Sequence, residues 1–325
     1  MSHYNRHVHT DIRVNVLPMH YFVHLREQQK YVITNMFEIN QENLFMFSQL
    51  YMDMFSSSRS YLLKFDRTIV PMAKGDRSRT VLDLAFDLAH QYSSEITALT
   101  VKENVREVTW SDKVAVVINA YKEGKEKNIK VIPKVRTSKS VKQGIVEEVS
   151  SKAYDILLLG TFKRSVLSAS IFGTIGDYVI KNSTIPTAVV SLHGSKYPYR
   201  KILVPLCETL TTRAAVSFAL HMKKAMNSSL VLADLRKFDR KKTHGFNTLM
   251  DRLGEAIEQY GSDITVVRPG MSSNLTEEVS NMIREQNPDV IVMGVRDSPG
   301  GKVRFNSDLK SIIKGTYQDT IVVKK

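Results

Sequence analysis

The sequence predicts an α/β protein: two tandem open parallel-sheet domains with helices on both faces, preceded by an N-terminal helical extension. Three observations carry this expectation. The chain has 325 residues, 42% hydrophobic and 24% charged, an ordinary globular balance and room for two domains plus an extension. Apolar runs of strand length alternate with stretches of helical spacing. The whole alternation then occurs a second time at a fixed offset.

Residues 1–65 come first and form the extension. Phe45, Leu50, Tyr51 and Met54 fall along one predicted helix from about Gln41 to Ser56, a stripe that suits packing on the first domain or on a partner. Five histidines, His3, His7, His9, His20 and His24, lie here. His7-Val8-His9 would suit a metal only on a strand, and no carboxylate or thiol follows at a persuasive spacing, so no metal site is expected.

The first domain spans residues 66–192. Thr68–Met72 is a short apolar strand ending at Pro71. Asp76–Gln91 is a helix with Val81, Leu84, Ala85, Leu88 and Ala89 on one face. Strand Glu95–Val101, helix Ser111–Lys127, strand Ile129–Val135 and helix Ser138–Lys152 follow. Ile156–Leu159 is continuously apolar, as in a parallel strand covered on both faces. Helix Ile171–Lys181 and strand Thr187–Leu192 complete the domain, and residues 193–199 read as a linker.

The second domain, residues 200–325, repeats the order. Strands are expected at Lys201–Leu206, Leu230–Asp234, Ile264–Val267, Val290–Met293 and Thr320–Val323. Helices are expected near Thr211–Met226, Asn247–Tyr260, Thr276–Glu285 and Leu309–Lys314. The repeat is visible in the residues themselves: Ile69-Val70-Pro71 matches Leu203-Val204-Pro205, and Asp155 to Gly160 matches Asp289 to Gly294. Each pair is offset by 134 positions, and such self-similarity marks duplicated structural units.

Composition excludes several classes. The single cysteine, Cys207, rules out an intrachain disulfide framework and a multi-thiolate metal site. It fits a reducing, cytoplasmic setting. The net charge of +13 is spread as +1, +5 and +7 over residues 1–65, 66–194 and 195–325. That is a diffuse basic surface, and without zinc-finger spacing or an aromatic RNA-binding signature nucleic acid is not an expected partner. No stretch has the roughly 18 uncharged apolar residues of a membrane helix, so the chain reads as soluble. No nucleophile-elbow or Walker lysine loop is present, so no catalytic residue is named.

In an open parallel sheet, ligands bind beyond the carboxyl ends of the strands, at a topological switch point. The candidate loop runs from Gly160 through Lys163, Arg164 and Ser165 to Gly173 and Thr174. Glycine lets backbone approach a ligand, helix-start amides hold phosphate oxygens, and Lys163 and Arg164 carry compensating charge. The same residues also suit a tight turn at Gly160 and a helix cap at Thr174. Spacing leaves both readings standing.

These motifs together resemble tandem universal stress protein (UspA-like) domains, over residues 66–192 and 200–325. The resemblance implies the adenine nucleotide alpha hydrolase-like fold and a stress-response or regulatory role. ATP-binding members carry G-x2-G-x9-G-[ST] after the fourth strand. Gly160, Lys163, Gly173 and Thr174 stand at its positions, with lysine replacing the second glycine. The resemblance implies ATP, with magnesium, as the cofactor of the first domain. Gly160, Lys163, Gly173, Thr174 and Ile175 would serve the phosphates, and Pro71, Met72 and Val101 the nucleoside side. Ala73 stands where such members usually have Asp. In the second domain Cys207, Asp297 and Ser307 replace the family residues, and only Gly294 remains, so this repeat is expected to be degenerate.

The resemblance further implies that Thr187–Leu192 and Thr320–Val323 pair antiparallel as an intrachain pseudo-dimer, with a homodimer of whole chains as a further arrangement. At most slow ATP hydrolysis is implied. An alternative, without nucleotide, is a cytoplasmic regulatory module of a membrane transporter such as an amino-acid permease. In that case residues 1–65, with Arg6–Arg13 ahead of an amphipathic segment, would serve as a juxtamembrane connection, and the chain would be membrane-associated through its partner.

Overall fold

The computed structural model describes residues 63–73, 76–103, 110–162, 168–239, 263–268, 270, 272–298 and 302–325. The Gln41–Ser56 and Asn247–Tyr260 helices and the five N-terminal histidines expected from sequence lie outside these residues. Among the described residues no helix is long and apolar enough to cross a membrane.

The first repeat alternates β1 (Arg67–Pro71), α1 (Asp76–Tyr92), β2 (Glu95–Glu103), α2 (Trp110–Glu126), β3 (Val131–Ser138), α3 (Val141–Ser151), β4 (Ile156–Phe162), α4 (Gly173–Asn182) and β5 (Thr187–Leu192). The second gives β6 (Lys201–Leu206), α5 (Arg213–Met226), β7 (Ser229–Asp234), β8 (Ile264–Val267), α6 (Leu275–Gln286) and β9 (Val290–Val295). A two-stranded ribbon, β10 (Asp297–Ser298) and β11 (Lys302–Val303), then precedes α7 (Ser307–Gly315) and β12 (Asp319–Lys324).

All strands except that ribbon join one sheet, in the order β3-β2-β1-β4-β5-β12-β9-β6-β7-β8. Each half is parallel, and the halves meet where β5 and β12 run antiparallel, Thr320 opposite Ser191 and Lys324 opposite Thr187. The expected pairing of Thr187–Leu192 with Thr320–Val323 is thus observed. It covers two strand edges that separate repeats would expose. Strand β9 is apolar throughout, and β4 from Ile156 to Leu159, because helices cover both faces there. Pro133 is accommodated because β3 lies at the sheet's edge.

Each face carries one apolar layer continuous across both repeats. On one face α1 and α5 bring together Leu84, Leu88, Phe218 and Met222. On the other, α3, α4, α6 and α7 bury Ile145, Val179, Val279 and Ile312. The repeated aspartates that betrayed the duplication have a structural job. The Asp155 carboxylate accepts from the Arg67 amide at 2.8 Å. Asp289 accepts from the Arg200 and Lys201 amides at 2.6 and 2.9 Å. Each ties the start of its fourth strand to the start of its first.

Candidate functional site

The strand order places the switch point of each half between its first and fourth strands. β1 and β4 pair only at Thr68 with Ile156 and Ile69 with Leu157. Beyond that they part, while β4 continues beside β5 as far as Phe162 opposite Leu192. The second repeat does the same: β6 and β9 pair only at Ile202 with Val290 and Leu203 with Ile291. Two equivalent crevices therefore begin above Ile69 and above Leu203.

Pro71 closes β1 opposite Leu99, and Met72 follows, buried, its amide donating to the Leu99 carbonyl at 2.7 Å. The Ala73 amide donates to the Ser78 hydroxyl at 2.9 Å. Gly160 does not end its strand as the sequence suggests. It lies inside β4, opposite Val190, because β5, anchored by β12, offers a partner two residues further on. Val101 differs as well. Strand β2 runs on to Glu103 because β3 pairs with it that far, and Val101 is 4% exposed. A Cβ on Gly144 would meet its side chain at 2.5 Å. The Val101 side chain is thus packed under α3, and its carbonyl accepts from the Lys113 ammonium at 3.4 Å. Lys163, with Arg164 and Ser165, lies outside the described residues.

The start of α4 carries the remaining candidates. Gly173 opens the helix with φ of 81°, a left-handed value that a side chain would strain. Thr174 and Ile175 are exposed on the first turn. Thr174 is not the cap: that position belongs to Phe172, which supplies no side-chain hydrogen bond. Sequence reasoning missed Asp177. Its carboxylate accepts from the Phe172 amide at 2.8 Å, the Ile171 amide at 3.1 Å and the Ser170 hydroxyl at 2.8 Å. It fixes the approach to the helix but leaves the amides of the first turn, which have no partner within a helix. The spacing of an acid four residues past a helix-start glycine was the available signal.

The second repeat has filled its equivalent ground. The Gly294 amide donates to the Leu210 carbonyl at 2.8 Å. A Cβ on Gly294 would lie 2.3 Å from Thr212 Oγ1 and 2.6 Å from the Thr212 amide nitrogen. The segment from Cys207 to Thr212 therefore sits directly on the glycine that survives from the motif. Cys207 is fully buried, and burial pushes its thiol up to about 11, so it is neither anionic nor reactive. Asp297, where a second glycine would stand, belongs to the β10–β11 ribbon. At the start of α7, Asn306 caps the helix: its Oδ1 accepts from the Leu309 amide at 2.7 Å, and its Nδ2 donates to the Thr209 carbonyl at 2.6 Å. The two repeats thus treat equivalent helix starts oppositely.

Gly160, Gly173 and Thr174 share the carboxyl side of one sheet. Among the described residues no cluster of three or more His, Cys, Asp or Glu side chains could hold a metal ion.

Residues 64–191 match the model of the universal stress protein family. No curated protein matches the chain in sequence. Among solved structures, a universal stress protein from Archaeoglobus fulgidus DSM 4304 is 15% identical. The similarity covers 80% of this chain and 99% of that one, with a TM-score of 0.52. A putative universal stress protein from Pseudomonas aeruginosa UCBPP-PA14 is 13% identical over 80% of this chain and 93% of that one, with a TM-score of 0.54. The cytoplasmic domain of a prokaryotic cation chloride cotransporter aligns with 80% of this chain and 95% of that one, at 10% identity and a TM-score of 0.46. The first two share the fold described above over 80% of this chain. Residues 64–191 are therefore similar to the universal stress protein family, and the second half of the same sheet repeats their strand order.

Proposed function

We propose that this chain is a regulatory universal stress protein that takes an adenine nucleotide in its first repeat alone. The observation that carries the reading is the contrast between the two helix starts. In the second repeat the Asn306 side chain and the backbone of 207–212 occupy the ground above the strands. In the first, α4 begins without a side-chain cap, at a left-handed glycine, with Thr174 exposed. Amides at such a start attract phosphate oxygens through their unpaired N–H groups and the helix dipole. Gly160, Gly173 and Thr174 would hold the phosphates and Pro71 and Met72 would border the nucleoside, with Lys163 adding charge and magnesium accompanying the phosphates. Such a site binds, and binding acts by favouring one conformation over another; no residue here is assigned a chemical step.

Denaturing the purified chain and separating the supernatant by ion exchange tests the reading. ATP or ADP released in near-stoichiometric amount supports it. A nucleotide-free supernatant, together with no heat on titrating ATP and magnesium, rejects it in favour of a ligand-free regulatory module.

A further inference from the structure

The second repeat, though closed to a ligand itself, reaches across to the first repeat's loop. The Lys314 ammonium, on α7, donates to the Ser168 carbonyl, just before α4. Ser168 is itself part of the local turn, since its hydroxyl accepts from the Ser170 amide at 3.3 Å. Phe305, just ahead of α7, meets Phe172 edge to face at 5.8 Å between ring centres, with planes at 75°. The Lys181 ammonium of α4 also lies over the Phe305 ring, 5.6 Å from its centre. Phe172 is 1% exposed and abuts the helix start so closely that a Cβ on Gly176 would lie 2.5 Å from its own Cβ.

We propose that the degenerate repeat positions the ligand loop of its twin, with Lys314 and Phe305 as positioning residues for the segment Ser168–Phe172 that leads into Gly173. The argument is one of restraint. A left-handed glycine at a helix start keeps its amides aimed only if the residues before it are fixed. Asp177 fixes the amides of Ile171 and Phe172 from within the first repeat. The other two restraints, on the Ser168 carbonyl and on the Phe172 ring, come from the second. Both come from α7 and the residues entering it, so any movement of α7 is transmitted to the loop. This explains why a repeat that has lost its own ligand ground keeps its place beside one that has not: it holds the loop in a binding geometry and so sets the ligand's affinity. The inference rests on the nucleotide reading for its affinity part only; the restraint itself stands on the contacts.

The test separates the two. Amide hydrogen exchange is measured on the full chain without ligand, for wild type, Lys314→Met, Lys314→Arg and Phe305→Ala. ATP with magnesium is titrated into each by calorimetry. Lys314→Met is expected to speed exchange over 168–173 and to weaken ATP binding by roughly three- to tenfold, the worth of one charge-assisted hydrogen bond. Lys314→Arg is expected to restore both, because the donor returns. Phe305→Ala is expected to speed exchange over the same segment. Unchanged exchange at 168–173 in both Lys314→Met and Phe305→Ala overturns the proposal, as does faster exchange with unaltered ATP affinity. Wild type that binds no ATP instead overturns the nucleotide reading, and exchange then decides the restraint alone.

Discussion

At the scale of single residues, the second repeat shows how a glycine can be given over to packing. Gly294 survives from the motif yet serves packing, since its missing side chain is what lets Thr212 approach. Gly294→Ala should therefore destabilise the protein by about 1–3 kcal/mol, as overpacking does. Gly315→Ala, where nothing lies within 4 Å of the added carbon, should be neutral or slightly stabilising. Urea unfolding of the pair checks this. His221 offers a second case. Its ring lies against Phe65 and Tyr92, and its Nδ1 approaches the Ser217 carbonyl at 2.6 Å. Burial, aided by the charge of nearby Lys224, lowers its pKa to about 4. Below about pH 6.5 the unfolded chain gains a proton that the folded ring refuses until about pH 4. Stability should therefore fall across that window, by at most about 3 kcal/mol, because the ring keeps some solvent contact. In His221→Phe that part of the pH profile should flatten, and thermal melts from pH 4 to 7 would show it. Neither effect was legible in the sequence. Gly294 reads there as a remnant of the motif and His221 as one more polar position on a helix, because both roles depend on neighbours distant along the chain.

Elements were far more legible. Strands such as β4 and β9 announced themselves as unbroken apolar runs, and helices such as α1 by their stripe. What the residues could not fix was where strands end. Gly160 looked like a terminus because glycine interrupts a run, and Val101 because polar residues follow it. In each case a neighbouring strand that continues decided the length. Helix starts were equally hidden. Thr174 has the right chemistry for a cap, yet the chain turns into α4 one residue before Gly173 and leaves that hydroxyl outside. Asn306 is the contrasting cap, and it also grips the 207–212 segment through the Thr209 carbonyl. Asn306→Ala should cost about 1 kcal/mol from the lost cap, read by chemical denaturation. It should not create nucleotide binding in the second repeat, because the Leu210 carbonyl still holds the Gly294 amide.

For the whole molecule, duplication was written in the 134-residue offsets, and the joining of the halves was implied by the family resemblance; it covers two strand edges. The joint is reinforced by groups no pattern revealed. Asp319 is fully buried at the start of β12. It accepts from the His193 amide at 2.6 Å and the Tyr199 hydroxyl at 2.9 Å, so the linker is stitched to the last strand. The loops on the opposite face meet through Phe172 and Phe305. The halves are thus continuous in backbone, core and loop, which suits a device in which one repeat binds and the other restrains. Calorimetric titration of the full-length chain with ATP and magnesium, beside Gly173→Asp, examines this division of labour most directly. One site per chain, abolished by Gly173→Asp, is the predicted result. Two sites per chain, or one that survives Gly173→Asp, would contradict it.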